Sequence, residues 1–457
     1  MAVLHCAQHP SAARPPQTAV SRRARQKGQA LVLALGLLVL GAVCLRLLFE
    51  SGQLSVAKQR LTDTADAAAL SAATWRARVL NFHAYSNRAI IANEVAIAQA
   101  VTLVAWANYF ETLTRNGAAF GAMLPPVEPV FTVAAEAAAI AAQTSRLTAS
   151  LEIPARGAPV VGYKALLQGA QEVMHLSSLG FALNMVTAEV ARASHPAHFA
   201  WVLPDVVQPW SGFTARATED ADRKRVADLV RASLDPFVGG ARSEDIHTFI
   251  PSLCFNLMRL RKRGVTTLSE ALDRWESVDT LSFHLRRLSW FRCRENEAMP
   301  LGWGAAEAGE VRNTVTATSG DLMLNPMARQ RAAEVMFSES GYEGIARLRE
   351  LNYEALANTQ FPRGRLAVIA RRDASAQGPE VTSATTGTAG ALLKAINTST
   401  GSSNRRIWAL SAAEVHFLRP PGAPERTEYA SLFNPYWQAR LVAPSAADRA
   451  LALAQVD

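Results

Sequence analysis

Residues 30–49 read ALVLALGLLVLGAVCLRLLF, a run of twenty residues with a single charge at Arg46. Twenty helical residues rise about 30 Å, which matches the hydrocarbon core of a bilayer. The stretch therefore predicts a transmembrane helix. Arg46 lies near the end of the run, where its long side chain can carry the guanidinium to the lipid headgroups.

The residues around this run predict its orientation. Residues 1–29 contain five Lys or Arg and no acidic residue. Within about 15 residues of each end, four Lys or Arg precede the run and two follow it, and positive charge favours the cytoplasmic side. We expect residues 1–29 to form a cytoplasmic basic tail, 30–49 to span the bacterial inner membrane, and residues 50–457 to lie in the periplasm.

A cleaved secretory signal and a lipoprotein signal also contain an apolar run, but both fit residues 30–49 less well. A cleaved secretory signal has an apolar core of about 7 to 15 residues followed closely by a small-residue cleavage site, and residues 30–49 exceed that length. A lipoprotein would be modified at Cys44, but Leu40 stands one position too far upstream and Val43 occupies the place of a small residue. We therefore expect Cys44 to pack within the bilayer.

The composition indicates a mainly globular chain. Of 457 residues, 49% are hydrophobic and 19% charged, which is too apolar for a disordered protein. The formal charge is +8, but the basic tail contributes five of these charges, and the rest of the chain is nearly balanced. A basic face for nucleic acid is not indicated, so we expect no nucleic-acid partner.

An apolar stripe follows the membrane run. Its members recur at alternating spacings of four and three, which places them on one helix face: Leu61, Ala65, Ala68, Ala72, Trp75, Val79 and Phe82. After the apolar run no Pro occurs until Pro125, so the helix is predicted to continue to about residue 115. The small residues permit close packing against another helix, which could belong to this chain or to a partner.

The remaining pattern predicts an α+β fold, with a long Ala-rich helical region followed by a mixed domain. Residues 50–272 are predicted to be mainly helical, with helices near 130–151, 158–193 and 215–234. A mixed carboxy-terminal domain is predicted for residues 273–457. Its strands are expected at the stretch WESVDTLSFHLRRLSWF, residues 275–291, and near 365–371, 413–418 and 437–442. A helix is expected near 326–358 and a mobile loop near 382–404, where 13 of 23 residues are Ser, Thr or Gly.

Motifs for catalysis or cofactor binding are weak. The G-x-S-x-G elbow and the P-loop ending are missing, so we expect no enzymatic activity, no catalytic residue and no cofactor. His195 and His198 lack a nearby carboxylate or thiol, which predicts surface or turn histidines and no metal site. Asp373 in DASAQ only weakly resembles the metal-site aspartate of a von Willebrand factor A domain.

The cysteines suggest one disulfide. In an oxidising periplasm Cys254 and Cys293 could pair, while Cys6 and Cys44 would stay reduced. Two unpaired buried thiols are the alternative reading.

Residues 28–73, with Gly28 before the apolar run, a break at residues 50–52 and the helix QRLTDTADAAALSAA, resemble the amino-terminal segment of TadG-like proteins of the Tad (Flp) pilus-assembly system. The resemblance implies a pilin-like inner-membrane protein whose partners are membrane lipid and other pilus-assembly membrane proteins. Gly28 and Gln29 mark a possible processing point. Leu33 replaces the Glu common in pilin-like substrates, which predicts inefficient cleavage.

These observations predict a membrane-anchored, pilin-like structural or assembly component of a Tad/Flp pilus or a related secretion apparatus. The alternative is a membrane-anchored envelope enzyme or ligand-binding protein with an unrecognised site in residues 273–457. The sequence leaves the oligomeric state and any filament role open.

Overall fold

The computed structural model describes most of the chain from residue 29 onward, and the structural statements below concern these residues: 29–121, 128–152, 159–204, 209–217, 220–248, 258–289, 292–312, 314–316, 322–357, 359–372, 407–419 and 428–456. The chain divides into two compact units. One comprises Met1–Arg60 and Gln377–Ser402, and the other comprises Leu61–Ala376 and Ser403–Asp457. All elements described after residue 60 belong to the second unit.

The helices are long in the first half of the chain and short in the second. Their bounds are α1 Gln29–Gly121, α2 Glu128–Glu152, α3 Pro159–Ser177, α4 Gly180–Ser194, α5 Asp220–Ala232, α6 Pro236–Gly239, α7 Pro326–Glu334 and α8 Ala446–Val456. Helix α1 runs for 93 residues without a proline. The predicted helix to about residue 115 is confirmed and extends slightly further, to Gly121, since no proline interrupts it.

The strands form three sheets. Their bounds are β1 His198–Val202, β2 Thr214–Arg216, β3 Glu244–Thr248, β4 Met258–Leu268, β5 Arg274–Ser289, β6 Arg292–Gly309, β7 Phe337–Glu339, β8 Arg349–Leu351, β9 Gly364–Arg372, β10 Trp408–Phe417 and β11 Trp437–Val442. One sheet has the order β1-β9-β10-β11, a second β3-β4-β5-β6-β7, and a third pairs β2 with β8. All neighbours are antiparallel except β6 and β7, which are parallel. The predicted α+β class is confirmed.

Helix α1 takes part in two hydrophobic cores. Its residues from Leu61 to Leu80 pack with α4 and with the β1-β9-β10-β11 sheet, where Leu183 and Val368 are fully buried. Its residues from Ile90 to Ala105 pack with α5 and with the β3-to-β7 sheet. One helix therefore supports both large sheets of the second unit.

Two glycines let strand β6 lie directly on α1. A Cβ added to Gly304 would lie 2.2 Å from the Ala105 carbonyl oxygen and 2.3 Å from the Tyr109 nitrogen, so only glycine fits there. Between Gly302 and Gly304, the Thr112 hydroxyl donates to the Trp303 carbonyl at 2.6 Å and accepts from the Trp303 amide at 2.8 Å. Thr112 of α1 thus provides hydrogen bonds for both backbone groups of Trp303 where the helix crosses β6.

The predicted helix at 326–358 is wrong beyond residue 334. Helix α7 ends at Glu334, and β7 and β8 follow. The chain leaves the helix because β7 pairs with β6 and β8 pairs with β2. Gly344, with φ of +89°, lies between them in a conformation that an L side chain rarely adopts.

The region predicted to be mainly helical also contains strands. Strands β1 to β4 all precede residue 273, and β3 and β4 pair with the predicted strand β5. The proposed division at residue 273 therefore falls within one sheet. The predicted strands near 365–371, 413–418 and 437–442 are confirmed as β9, β10 and β11. The proposed loop at 382–404 lies outside the described residues.

Candidate functional site

The apolar amino-terminal part of α1 is the first candidate functional feature. Among the described residues, α1 alone is long and apolar enough to cross a membrane, judged by length and composition, and none of its most apolar window is buried. Leu31, Leu38 and Leu48 are each about 70% exposed, at 73%, 69% and 70%. A continuous apolar surface of this kind is unfavourable in water and suits a lipid environment.

The apolar stripe follows on the same helix, and its face is occupied within the chain. Leu61, Ala65, Ala68 and Ala72 have no exposed surface and belong to the first core. Trp75 is partly buried against that core, and its indole nitrogen donates to the Ser177 carbonyl at 3.0 Å. Val79 is buried and Phe82 is half-buried. In this structure the stripe packs against α4 and a sheet of its own chain.

Adding bulk to the stripe should destabilise the second unit. Ala68→Leu places three further carbons in a core with no free surface, and overpacking of this kind costs about 1 to 3 kcal/mol. The neighbouring Ala67 is exposed, so Ala67→Leu is the matched control and should change the stability little. Urea unfolding of the full chain in detergent micelles measures both, and equal stability of the two variants would contradict the packed stripe.

A second line of residues on α1 is polar and fully buried. We call it the polar seam: Arg76, His83, Asn87 and Glu94, each 0% exposed. Their spacings of seven, four and seven place them on one face of the helix. Opposite them α3 runs antiparallel, with Gln171 donating to Asn87 at 2.8 Å and Lys164 lying 3.7 Å from Glu94. The spacing is visible in the sequence, but polar residues at helical spacing ordinarily indicate a solvent-facing side, so periodicity alone does not predict their burial.

The Glu94 end of the polar seam links three elements. Tyr342 donates its hydroxyl to Glu94 Oε2 at 2.9 Å, and Lys164 Nζ donates to the Gly344 carbonyl at 2.9 Å. Burial raises the pKa of the Glu94 carboxyl, and the Lys164 charge partly offsets that rise. Shifted pKa values can mark reactive groups, but here each group bonds to a neighbouring element, and the arrangement holds α1, α3 and the segment before β8 together.

His83, in the middle of the polar seam, is buried, and neither of its ring nitrogens has a hydrogen-bond partner among the described residues. Burial, together with the Arg349 guanidinium and His175, lowers the pKa of His83 to about 3. The carboxylate of Glu172 lies 2.6 Å from the Arg349 guanidinium and is the counter-charge of that guanidinium. The ring is therefore neutral in the folded chain.

His83 should make the fold sensitive to mild acid. The unfolded chain protonates this ring near its ordinary pKa of 6.5, whereas the folded chain does so only near 3. The free energy of unfolding is therefore not reduced by His83 well above pH 6.5, and it falls as the pH drops toward 3. Between pH 6.5 and 5.5 the loss is about 1 kcal/mol. His83→Gln should remove that part of the pH dependence in unfolding measurements at these two pH values. An unchanged dependence would contradict the buried neutral ring.

The sheet of β3 to β7 contains two further buried ion clusters. Arg274 lies 2.8 Å from Glu307 and 3.0 Å from Glu276, with all three side chains at most 3% exposed. Arg242 pairs with Asp279 at 2.8 Å. Within each cluster the opposite charges compensate one another, and we expect these ion pairs to stabilise the fold.

The cysteines and histidines singled out from the sequence lie apart from the polar seam. Cys293 is disulfide-bonded, while Cys44 is free. Cys6 and Cys254 lie outside the described residues, so the Cys254–Cys293 pair stays a prediction, and non-reducing peptide mapping should recover it. Chain connectivity allows it, since Cys254 is four residues from β4 and Cys293 is opposite Leu288 of the adjacent β5.

His195 and His198 are close to each other, with ring centroids 4.6 Å apart, but each bonds to the protein. His198 Nδ1 lies 2.9 Å from the Thr64 hydroxyl, and His195 Nδ1 accepts from the Ala197 amide at 3.1 Å. His198 is fully buried at the start of β1, so the expectation of a surface histidine is wrong there. In the described part of the chain, no group of three or more His, Cys, Asp or Glu could hold a metal ion. Gly28 and Asp373 lie outside the described residues.

Comparison with known proteins identifies the amino-terminal segment. Residues 28–76 match the family model described as "Putative Flp pilus-assembly TadE/G-like". No curated protein and no solved structure matches the chain. The match covers the apolar run and most of the apolar stripe, and with the apolar helix it suggests membrane association and a pilus-related role. The resemblance predicted from residues 28–73 is confirmed: the amino-terminal segment of this chain is TadE/G-like.

Proposed function

We propose that this chain is a membrane-anchored structural or assembly component of a Tad/Flp pilus or a related secretion apparatus. The observation that carries the proposal is the TadE/G-like match of residues 28–76. Nearly all of these residues lie on α1, the one helix in the described ranges that is long and apolar enough to cross a membrane. The proposal assigns no reaction to the chain. Its described buried charges bond to neighbouring elements of the fold.

The proposed location is the inner membrane, with a single span, a cytoplasmic amino terminus and a periplasmic body. Within about 15 residues of each end of the apolar run, four Lys or Arg precede it and two follow it, which supports this orientation. The disulfide at Cys293 supports an oxidising compartment for the body. A reporter active only outside the inner membrane should work after Asp457 and fail before Arg22. The reverse pattern would contradict the orientation.

The proposed partners are membrane lipid and other membrane proteins of the pilus-assembly apparatus. Crosslinking of the full chain in intact cells, followed by mass spectrometry, tests this directly. Recovery of pilus-assembly proteins is expected. Recovery of metabolic enzymes, or a small molecule that copurifies in stoichiometric amount, would instead favour an envelope enzyme or ligand-binding protein.

A further inference from the structure

Helix α3 is amphipathic, but its polar side packs on the protein and its apolar side is exposed. The side that packs on α1 carries Lys164, Gln171 and His175, all buried. The opposite side carries Leu166, Val173 and Leu176, which are 67%, 66% and 54% exposed. A helix in water ordinarily buries its apolar side, so the outward side of α3 is expected to meet an apolar surface.

Helix α2 repeats the arrangement. Ala138 and Ala142 are buried, and Arg146 reaches α1 through Asn108 at 2.8 Å and Glu111 at 3.1 Å. The opposite side exposes a line with spacings of four, three, four and three: Val133, Ala137, Ile140, Thr144 and Leu147. Val133 and Ile140 are each 66% exposed and Leu147 is 58% exposed. Alternation of four and three is typical of a helix that packs along another helix.

Each line lies on the side of its helix opposite the residues that contact α1, and we call the two lines together the outer face: Val133, Ala137, Ile140, Thr144 and Leu147 of α2 with Leu166, Gly169, Val173 and Leu176 of α3. Helix α3 runs antiparallel to α1, since Lys164 lies beside Glu94 and Gln171 beside Asn87, and α2 contacts α1 through Arg146 and Asn108. No member of the outer face is charged. Its six large side chains expose roughly 700 Å², close to the ~800 Å² that each partner contributes to a stable protein interface.

We propose that the outer face binds the outer face of a second copy of this chain. An uncharged surface meets its own copy without repulsion, and a two-fold interface requires such self-complementarity. Large residues alternate with Ala137, Thr144 and Gly169, so the large side chains of one copy fit over the small ones of the other. Nothing lies within 4 Å of a Cβ added at Gly169, which leaves the room that a partner side chain needs.

A protein surface fits the outer face better than a lipid surface. Glu136 of α2 borders it and is exposed. At the rim of a protein interface this carboxylate stays hydrated, whereas immersion of α2 in hydrocarbon would strip its water. This inference is independent of the proposed pilus role, because a dimer could form whatever apparatus the chain serves.

The mass of the full chain in detergent micelles tests the proposal. The wild type should have twice the protein mass of the 49.2 kDa chain by light scattering. The double variant Ile140→Asp with Leu166→Asp should have half the wild-type mass. Both side chains are about two-thirds exposed, so the fold should persist, and an unchanged melting transition checks it. Leu453→Asp, at a site 53% exposed on α8, is the matched control and should remain dimeric.

Crosslinking in native membranes gives a second test. In a chain with Cys6→Ser and Cys44→Ser, Ile140→Cys should yield a covalent dimer with a short bis-maleimide, and Asp228→Cys on α5 should not. A monomeric wild type, a double variant that stays dimeric, or a fluorophore at Ile140→Cys quenched by spin-labelled lipid would each overturn the proposal. The last result would assign the outer face to the bilayer.

Discussion

Arg274→Met should lower the free energy of unfolding by about 3 to 5 kcal/mol, because it removes the guanidinium that lies within ion-pair distance of both Glu276 and Glu307. The two carboxylates, 3% and 0% exposed, would then lose a cation that is buried with them. Urea unfolding of the full chain in micelles measures the loss.

Arg231→Met is the matched control for Arg274→Met. Arg231 lies 3.0 Å from Asp228, but the two side chains are 45% and 72% exposed. Exposed pairs contribute about 0 to 1 kcal/mol, so this change should be mild. A loss of similar size in both variants would contradict the burial assigned to Arg274.

Gly304→Ala should cost about 3 kcal/mol or more. The added Cβ would meet the Ala105 carbonyl oxygen and the Tyr109 nitrogen at 2.2 and 2.3 Å, and these are backbone atoms of α1 that cannot rotate away. The strand must move from the helix, which also strains the bonds between Thr112 and Trp303. The melting temperature of the full chain measures the loss.

Gly180→Ala separates this steric effect from the general effect of replacing glycine. Nothing lies within 4 Å of a Cβ at Gly180, at the start of α4, so stability should change little or rise slightly. Comparable losses at Gly180 and Gly304 would show that the contact between β6 and α1 is looser than described.

Periodicity predicted the parts of the fold that local sequence determines. The apolar run and the stripe of Leu61 to Phe82 follow from spacing, and α1 continues because proline is absent until Pro125. Strands β5, β9, β10 and β11 were also predicted, since apolar and β-branched residues concentrate there. Each of these signals lies within one short segment of chain.

Long-range pairing determined the parts that were missed. Residues 337–351 follow α7 and read as its continuation, yet they form β7 and β8 because β6 and β2 offer backbone partners. Strand β4 carries the basic run RLRKRG, whose Arg261 and Lys262 pair with Glu295 of β6 and Asp279 of β5 across the sheet. Propensity cannot foresee partners that lie far along the chain.

The polar seam was missed for a different reason. Arg76, His83, Asn87 and Glu94 have the spacing of a buried helix face, but polar residues at such positions ordinarily indicate solvent. Their burial depends on Lys164, Gln171 and His175 arriving on α3 from about 80 residues away. A joint search for matched polar spacings on two helices could have found them.

Deletion of the gene in its own bacterium, followed by electron microscopy of surface pili, tests the central claim most directly. The account predicts that pili are lost, that the full chain restores them, and that a chain without residues 29–60 does not. Immunoblotting of both chains in membrane and soluble fractions controls for expression and anchoring. Normal pili in the deletion strain would contradict a role in pilus assembly.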